Sequence, residues 1–430
     1  MDWKSLRNQY PVFSFDKFES DFSGNVLNIK FFYSLPPKHH FVHELSINLP
    51  ASANNSVPQF ESLIFNLGLS LMLSYWKLTC SPVIKLPANH GHLNSQQIKF
   101  WTKLILNGMG EYFYKNQIDF TPTDFVTIEI LDNQPPAFIS KITHKNDDWT
   151  LIPLGGGKDS IVTLELIKSA FPVTAFAINP HPIISQITRK AGVNLITVNS
   201  RLDPHLLELN QKDFLNGHVP VSAFYSFCAV LTAQLLGITN VAFSNEASSN
   251  EGNVEYLGHQ INHQYSKSLE FETDMHQYLL DLKLDLNYFS FLRPLFELQI
   301  TQLFCRYPEY FDIFTSCNQN FKLDSHQPSL WCQKCPKCIS TSLMMSCFMD
   351  KQKIAGIMGS YPPDLPDNQK IMDQLLGNAE YKPFECVLSQ AEAQAAFAGH
   401  NLNQLLSAWH ENPNLPEKFA SILKAAINST

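Results

Sequence analysis

The stretch Leu151-Ile152-Pro153-Leu154-Gly155-Gly156-Gly157-Lys158-Asp159-Ser160 runs on into Ile161-Val162-Thr163-Leu164-Glu165-Leu166-Ile167-Lys168. An apolar run passes into three consecutive glycines and then into apolar residues at helical spacing. This order predicts strand, loop and helix. The chain has only 17 glycines in 430 residues, well below the roughly 7% of average usage. Three in a row mark a place where the backbone takes an unusual conformation or approaches a ligand closely. Lys158 adds a positive charge, and Asp159 or Ser160 is placed to cap the helix. The N–H groups of the first helical turn point the same way, so the segment reads as a cradle for an oxyanion or phosphate. A tight strand-to-helix turn with a capped helix is the plain alternative. Neither G-x4-G-K-[ST] nor G-x-G-x-x-G is present.

Around this loop, strands alternate with helices. Trp149–Leu154 is a predicted strand, Ser160–Ala170 a helix, Val173–Asn179 a strand, Ile183–Ala191 a helix and Asn194–Asn199 a strand. A helix over 221–236, a turn at Gly237 and a strand over Asn240–Ser244 follow. The strands are rich in Val, Ile, Leu and Ala without polar alternation, as in a parallel sheet covered by helices on both faces. The fold class is therefore α/β. Residues 1–145 read as an α+β module. Its predicted strands are Val12–Phe18, Val26–Ser34, Phe41–Leu49 and Phe125–Leu131, and its predicted helices Gln59–Leu78 and Ser95–Tyr114, with Ser95 as N-cap. The turn Asp132-Asn133-Gln134-Pro135-Pro136 breaks the last of these strands. Residues 146–350 form the loop-bearing domain. Residues 351–430 read as a helical segment with helices over Gln390–Phe397, Asn401–Glu411 and Pro416–Ile427.

The formal net charge is −8, and 44% of residues are hydrophobic against 16% charged. The negative balance argues against a general nucleic-acid binder, which needs a basic face. The first ten residues lack the cationic-then-apolar pattern of a signal peptide. Val219–Asn245 carries no charge and passes the length test for a spanning helix. Its Pro220, Ser222, Ser226, Thr232, Gln234, Gly237 and Asn240 favour a buried helix, a turn and a strand instead. The expectation is a cytoplasmic protein without a membrane partner, and the nine cysteines are expected to be reduced.

The loop resembles the PP-loop of the ATP pyrophosphatase superfamily, usually S-G-G-x-D-S. Gly155, Gly156, Gly157, Lys158, Asp159 and Ser160 match it, and Leu154 departs, standing where the superfamily has serine. One hydroxyl donor to the pyrophosphate is lost there, and Lys158 is placed to compensate. The resemblance implies cleavage of ATP to AMP and pyrophosphate, with Gly155–Ser160 binding the nucleotide and Mg2+ bridging phosphate oxygens. Glu246 and Glu251 follow a predicted strand at the edge where ligands bind in open parallel sheets, and are placed to orient Mg2+ or substrate. A polar loop is the alternative. Arg293, in Arg293-Pro294-Leu295, resembles a late segment of such domains that reaches phosphate; an ordinary surface arginine is the alternative.

Cys332, Cys335 and Cys338 stand as C-x2-C-x2-C, with Cys317 upstream as C-x14-C. Four thiolates satisfy a tetrahedral structural Zn2+, with His326 as an alternative fourth ligand. Several PP-loop enzymes carry a similar cysteine knuckle. Reduced buried cysteines and an iron–sulfur cluster are the other readings.

Across almost its whole length the chain resembles the UDP-N-acetyl-α-D-muramoyl-L-alanyl-L-glutamate epimerase family. The segments that carry the resemblance are Asn66–Ser70, Ser74–Lys77, Gly110–Tyr114, the loop 155–160, Asn262–Ser268, Trp331–Cys338 and Lys382–Val387. The resemblance implies ATP-dependent inversion of the terminal glutamate of a nucleotide-sugar dipeptide. His263, Lys267 and Glu246 are the expected acid–base residues. His259, four residues before His263, is placed to share a helix face with it. Cys386 is a further candidate, with a buried thiol as the alternative. Tyr75, Trp76 and Glu111 belong to the module that would bind the nucleotide sugar, or simply to its core. Two rival readings are a PP-loop ligase or synthase acting on RNA or a deazapurine, and a non-catalytic ATP-binding module.

Overall fold

The computed structural model describes residues 2–53, 60–87, 92–130, 146–321, 329–379, 382–385 and 387–429. The fold is α/β. The described strands are β1 (Val12–Ser23), β2 (Val26–Leu35), β3 (His39–Asn48), β4 (Val83–Leu86), β5 (Thr127–Ile130), β6 (Asn146–Pro153), β7 (Val173–Ile178), β8 (Asn194–Arg201), β9 (Ile238–Phe243), β10 (Val254–Tyr256), β11 (His259–Ile261) and β12 (Asn287–Ser290). The chain gathers into two compact units that interleave in sequence. The first takes residues 1–147, 196–240 and 255–286, and the second takes 148–195, 241–254 and 287–430. The sequence alone draws three consecutive segments, 1–145, 146–350 and 351–430. The units differ from these because helices Val221–Leu236 and Leu269–Asp281 pack on N-terminal helices, while Glu417–Asn428 packs on the helix after the glycine loop.

In the first unit the strands lie in the order β8-β3-β2-β1-β4-β5. β1–β2, β2–β3 and β3–β8 are antiparallel, and β1–β4 and β4–β5 are parallel. Alternation places Phe13, Phe15, Ile29, Phe31 and Tyr33 in the core. Helix Glu61–Trp76 packs on these rings. Gly68 permits the approach, since a Cβ there would fall 2.5 Å from the Phe15 ring and 2.8 Å from that of Phe31. This helix is buried on almost every side, and it packs against helix Val221–Leu236. The uncharged stretch 219–245 is thus largely a core helix, apolar all round because protein surrounds it. Among the described residues no helix is long and apolar enough to cross a membrane.

Two expectations shift here. The helix foreseen over Ser95–Tyr114 is two helices, Ser95–Gly108 and Gly110–Lys115, broken at Met109. The N-cap is Asn94 rather than Ser95: its side chain accepts from the N–H groups of Gln96 and Gln97, and Gln97 returns a bond to the Asn94 N–H. This reciprocal arrangement satisfies backbone donors that Ser95 could not reach from inside the helix.

In the second unit the order is β12-β9-β6-β7, with β6 and β7 parallel. Ile152, Leu154, Ala175, Ala177, Ala242 and Phe289 form the core with helix Lys158–Lys168. Phe419 and Leu423 of the C-terminal helix join it. The other two helices expected in this segment are Gln390–Ala398 and a short Leu402–Leu406, and helices Lys351–Met358 and Gln369–Leu376, not foreseen from the sequence, precede them. The turn 132–136, His326 and Cys386 lie outside the described residues.

Candidate active site and metal centre

β6 delivers the glycine loop to the N-terminus of helix Lys158–Lys168. Gly156 has φ +84°, and a Cβ there would sit 2.8 Å from Cδ1 of Ile183, so glycine is required on two counts. The Thr315 N–H donates to the Gly156 carbonyl at 3.0 Å. Gly155 is different: a Cβ there would meet nothing within 4 Å. Set position by position on S-G-G-x-D-S, the place of the serine falls on Gly155, not on Leu154. The Leu154 side chain is buried in the core, so the missing hydroxyl belongs to the open position beside it.

Neither Asp159 nor Ser160 caps the helix. The N-cap is Gly157, with no side-chain cap bond, and the Ser160 hydroxyl donates to the Gly157 carbonyl at 3.0 Å. The first-turn N–H groups are therefore not closed off by a side chain, as a phosphate cradle requires. Lys158 does not stand in for the lost serine. Its ammonium is buried, 2.5 Å from Asp159 Oδ1 and in contact with Glu297 Oε2. Burial alone would strip its charge, but Asp159 and Glu297 outweigh burial and hold its pKa above the ordinary lysine value.

Asp159, Glu246 and Glu297 bring carboxylate oxygens within 4.8 Å of one another. Glu246 follows β9, and Glu297 opens helix Glu297–Phe304. Burial raises the Glu297 pKa against the pull of Lys158. Glu251 is not part of this group and pairs with Lys382 at 2.9 Å. Arg293 is 1% exposed, so it is not a surface arginine. Its guanidinium donates to the Glu246 carbonyl at 2.6 Å and to Ser249 Oγ at 2.5 Å, bracing the turn that carries Glu246. Ser244 Oγ, just past β9, is buried without a hydrogen-bond partner among the described residues.

Cys317, Cys332, Cys335 and Cys338 converge. Sulfur separations are 3.8 Å for 332–338, 4.0 Å for 317–335 and 3.5 Å for 335–338. Four sulfurs at about 2.3 Å from a tetrahedral zinc stand roughly 3.8 Å apart, so the set has the dimensions of a zinc site. The N–H groups of Cys335 and Lys334 approach Cys332 Sγ, and that of Cys332 approaches Cys317 Sγ. All four are free thiols.

His263 and Lys267 lie in the first unit, whereas Glu246 lies in the second. His263 Nδ1 contacts Glu111 Oε2, His218 Nδ1 stands 3.6 Å from the same oxygen, and Lys115 holds Glu111 Oε1 at 2.5 Å. Lys267 ends the short turn Tyr265–Lys267, with its charge near the Tyr225 phenol. His259 is on β11 with its ring against Phe120, so it shares no helix face with His263. Tyr75 and Trp76 are core residues: Tyr75 Oη bonds His43 and the Asp203 N–H, and Trp76 Nε1 donates to the Ser81 carbonyl. Glu297 and His218 escaped the sequence reading. Neither belongs to a recognisable spacing, and each meets its ion-pair partner, Lys158 for Glu297 and Glu111 for His218, across more than a hundred residues.

An α/β chain with a glycine loop, a carboxylate cluster and a four-cysteine centre has the parts of an enzyme. A model of the MurL N-terminal domain matches residues 4–291, and a model of the MurL C-terminal domain matches 313–428. The chain belongs to the MurL family, and the family places it among the epimerases. A Micromonospora protein is 35% identical over 376 residues, covering 84% of this chain and 80% of its own. A Salinispora tropica protein is 32% identical over 423 residues, covering 94% and 87%. A Xanthomonas oryzae pv. oryzae protein is 31% identical over 329 residues, covering 76% and 71%. All three are named UDP-N-acetyl-alpha-D-muramoyl-L-alanyl-L-glutamate epimerase. No solved structure matches the chain.

Proposed function

We propose that this protein inverts the terminal L-glutamate of UDP-MurNAc-L-Ala-L-Glu to D-glutamate, in the cytoplasm, during peptidoglycan precursor synthesis, with ATP cleaved to AMP and pyrophosphate. The observation that carries the reading is the relatedness to three epimerases named for that substrate, the longest match spanning 94% of the chain. The glycine loop supports the use of ATP. A free carboxylate makes the neighbouring α-proton very hard to remove, because the carbanion would sit beside a negative charge. Joining the carboxyl to AMP makes it a neutral mixed anhydride, whose enolate can be stabilised by positioned donors. One group then removes the proton, another returns it on the opposite face, and water releases AMP.

The residues present fit these partners. Gly155 leaves open space, Gly156 and Gly157 keep the loop low, and the uncapped first turn offers N–H donors to phosphate oxygens. Asp159, Glu246 and Glu297 are the carboxylates that would hold Mg2+, which would supply positive charge against the phosphates. Lys158 offsets part of the negative charge through its pairs with Asp159 and Glu297. Glu246 is accordingly assigned to the cation rather than to proton transfer. The four cysteines would hold a structural Zn2+.

The test is incubation of the purified protein with ATP, Mg2+ and UDP-MurNAc-L-Ala-L-Glu, followed by measurement of AMP and of the chirality of the glutamate after acid hydrolysis. AMP and D-glutamate are expected together, and neither without the precursor. AMP without inversion would retain the nucleotide chemistry and overturn the substrate. AMP formation that depends instead on an RNA or a deazapurine would favour the ligase reading.

A further inference from the structure

The first unit contains a cluster to which the reaction as written above assigns no step, although the sequence offers its His263 as an acid–base residue. Glu111 Oε2 faces Nδ1 of both His218 and His263, and the three ligand atoms lie within 4.8 Å of one another. The imidazole rings are 4.3 Å apart between centroids, inclined at 45°. We propose that Glu111, His218 and His263 form a binding site for a divalent transition-metal ion of borderline softness, Zn2+ foremost. Two imidazoles and one carboxylate are a donor set that such ions favour over Mg2+ or Ca2+, and three protein ligands leave a fourth position for water or another ligand.

The fold builds this site rather than merely allowing it. The ligands come from three separate segments: Glu111 from helix Gly110–Lys115, His218 from the approach to helix Val221–Leu236, and His263 from the residues after β11. Two glycines bring the backbones close. A Cβ on Gly110 would stand 3.1 Å from Ile261, at the end of β11, and one on Gly217 would stand 3.1 Å from the Tyr112 ring. Each glycine is next in sequence to a ligand. The His218 segment is fixed further by Asn116 Nδ2 donating to the Asn216 carbonyl and by Lys77 Nζ donating to Asn216 Oδ1 and the Gly217 carbonyl.

Lys115 takes the other Glu111 oxygen, Oε1. It orients the carboxylate so that Oε2 points at the two imidazole nitrogens, as outer partners do around metal sites. The side chains are 6%, 20% and 16% exposed for Glu111, His218 and His263. The cluster is thus mostly enclosed but reachable from solvent on the imidazole side. A hydrogen-bonded Glu–His–His group that binds nothing is the competing account.

The inference does not depend on the proposed reaction, and its test reads metal content. Full-length protein is stripped with a chelator, re-equilibrated with Zn2+, dialysed, and assayed for zinc by plasma mass spectrometry. The wild type is expected to hold one more equivalent than His218→Asn or His263→Gln, which keep polar side chains at both positions. Cys335→Ser provides the background free of the cysteine centre. In that background Co2+ should give weak visible d–d bands without thiolate charge-transfer absorption, and these bands should vanish in His263→Gln. Lys115→Met should weaken binding about tenfold without abolishing it. Equal zinc in wild type and both histidine variants, with no Co2+ bands in Cys335→Ser, would overturn the proposal. Circular dichroism of each variant shows whether lost metal reflects a lost site or a lost fold. If His263→Gln does not fold, His218→Asn decides.

Discussion

Lys158 and Glu297 stand 139 residues apart in sequence and share one ion pair, with side chains only 2% and 7% exposed. Removing one partner of such a pair leaves an uncompensated buried charge, at a cost of about 3–5 kcal/mol. Lys158→Met is therefore expected to destabilise strongly, while Lys158→Met combined with Glu297→Leu recovers much of the loss. Urea unfolding of the two variants checks this. A double variant no more stable than the single one would show that the pair carries no mutual dependence.

Adjacent glycines of the loop should respond in opposite ways. Gly156→Ala forces an alanine to φ +84° and its Cβ against Ile183, a strain of about 1–2 kcal/mol from backbone alone. The loop must shift, and a displacement near 1 Å costs on the order of 100-fold in rate. AMP formation should fall by about that factor. Gly155→Ser places its side chain in open space and should fold like the wild type while retaining AMP formation. Steady-state kinetics beside thermal melts separate the two.

Thr315 links the cysteine centre to the loop. Its N–H donates to the Gly156 carbonyl, and its hydroxyl accepts from the N–H of Cys317 at 3.1 Å. Stripping the zinc proposed for the four cysteines should therefore lower the melting midpoint by roughly 5–10 °C and also raise the KM for ATP. Metal analysis, calorimetry and kinetics on stripped and reloaded protein test both effects. A melting point unchanged by chelation would exclude a structural metal there.

Glu392 supplies a pH prediction. Burial raises its pKa to about 7, against the bonds it accepts from the Ser389 and Leu298 N–H groups. A carboxyl raised above its unfolded value contributes stability that is complete below about pH 4.5 and is lost as pH climbs through 7. Glu392→Gln lacks this slope. Relative to the variant, the wild type should lose on the order of 3 kcal/mol between pH 4.5 and 8. Parallel denaturation curves across that range measure it.

What the sequence disclosed was local. The runs Val12–Phe18 and Val26–Ser34, the run into Gly155–Gly157, and the spacing of Cys332, Cys335 and Cys338 each depend on neighbours a few residues apart; the two strands are present and extend to Ser23 and Leu35, and the loop and the cysteine group are there as well. The break at Met109 was hidden because apolar spacing continues through it; just beyond it Gly110 packs closely on Ile261. Glu297 and His218 were hidden for a different reason. Their significance arises from partners supplied by distant segments, and no periodicity marks a carboxylate or imidazole for such a meeting. The role given to Lys158 illustrates the same limit: a lysine in a glycine loop suggests phosphate, yet its ammonium is directed to two carboxylates, one of them far along the chain.

The interleaving of the two units has a consequence for how the chain comes into being. The polypeptide passes between them at 147/148, 195/196, 240/241, 254/255 and 286/287. During synthesis the first unit stays incomplete until residue 286 has emerged, by which time β6, β7 and the glycine loop have already been made and must wait for β12 and the helices that follow. The usual order, in which an amino-terminal domain finishes folding before the next begins, is closed to this protein. No single cut of the chain yields either unit whole.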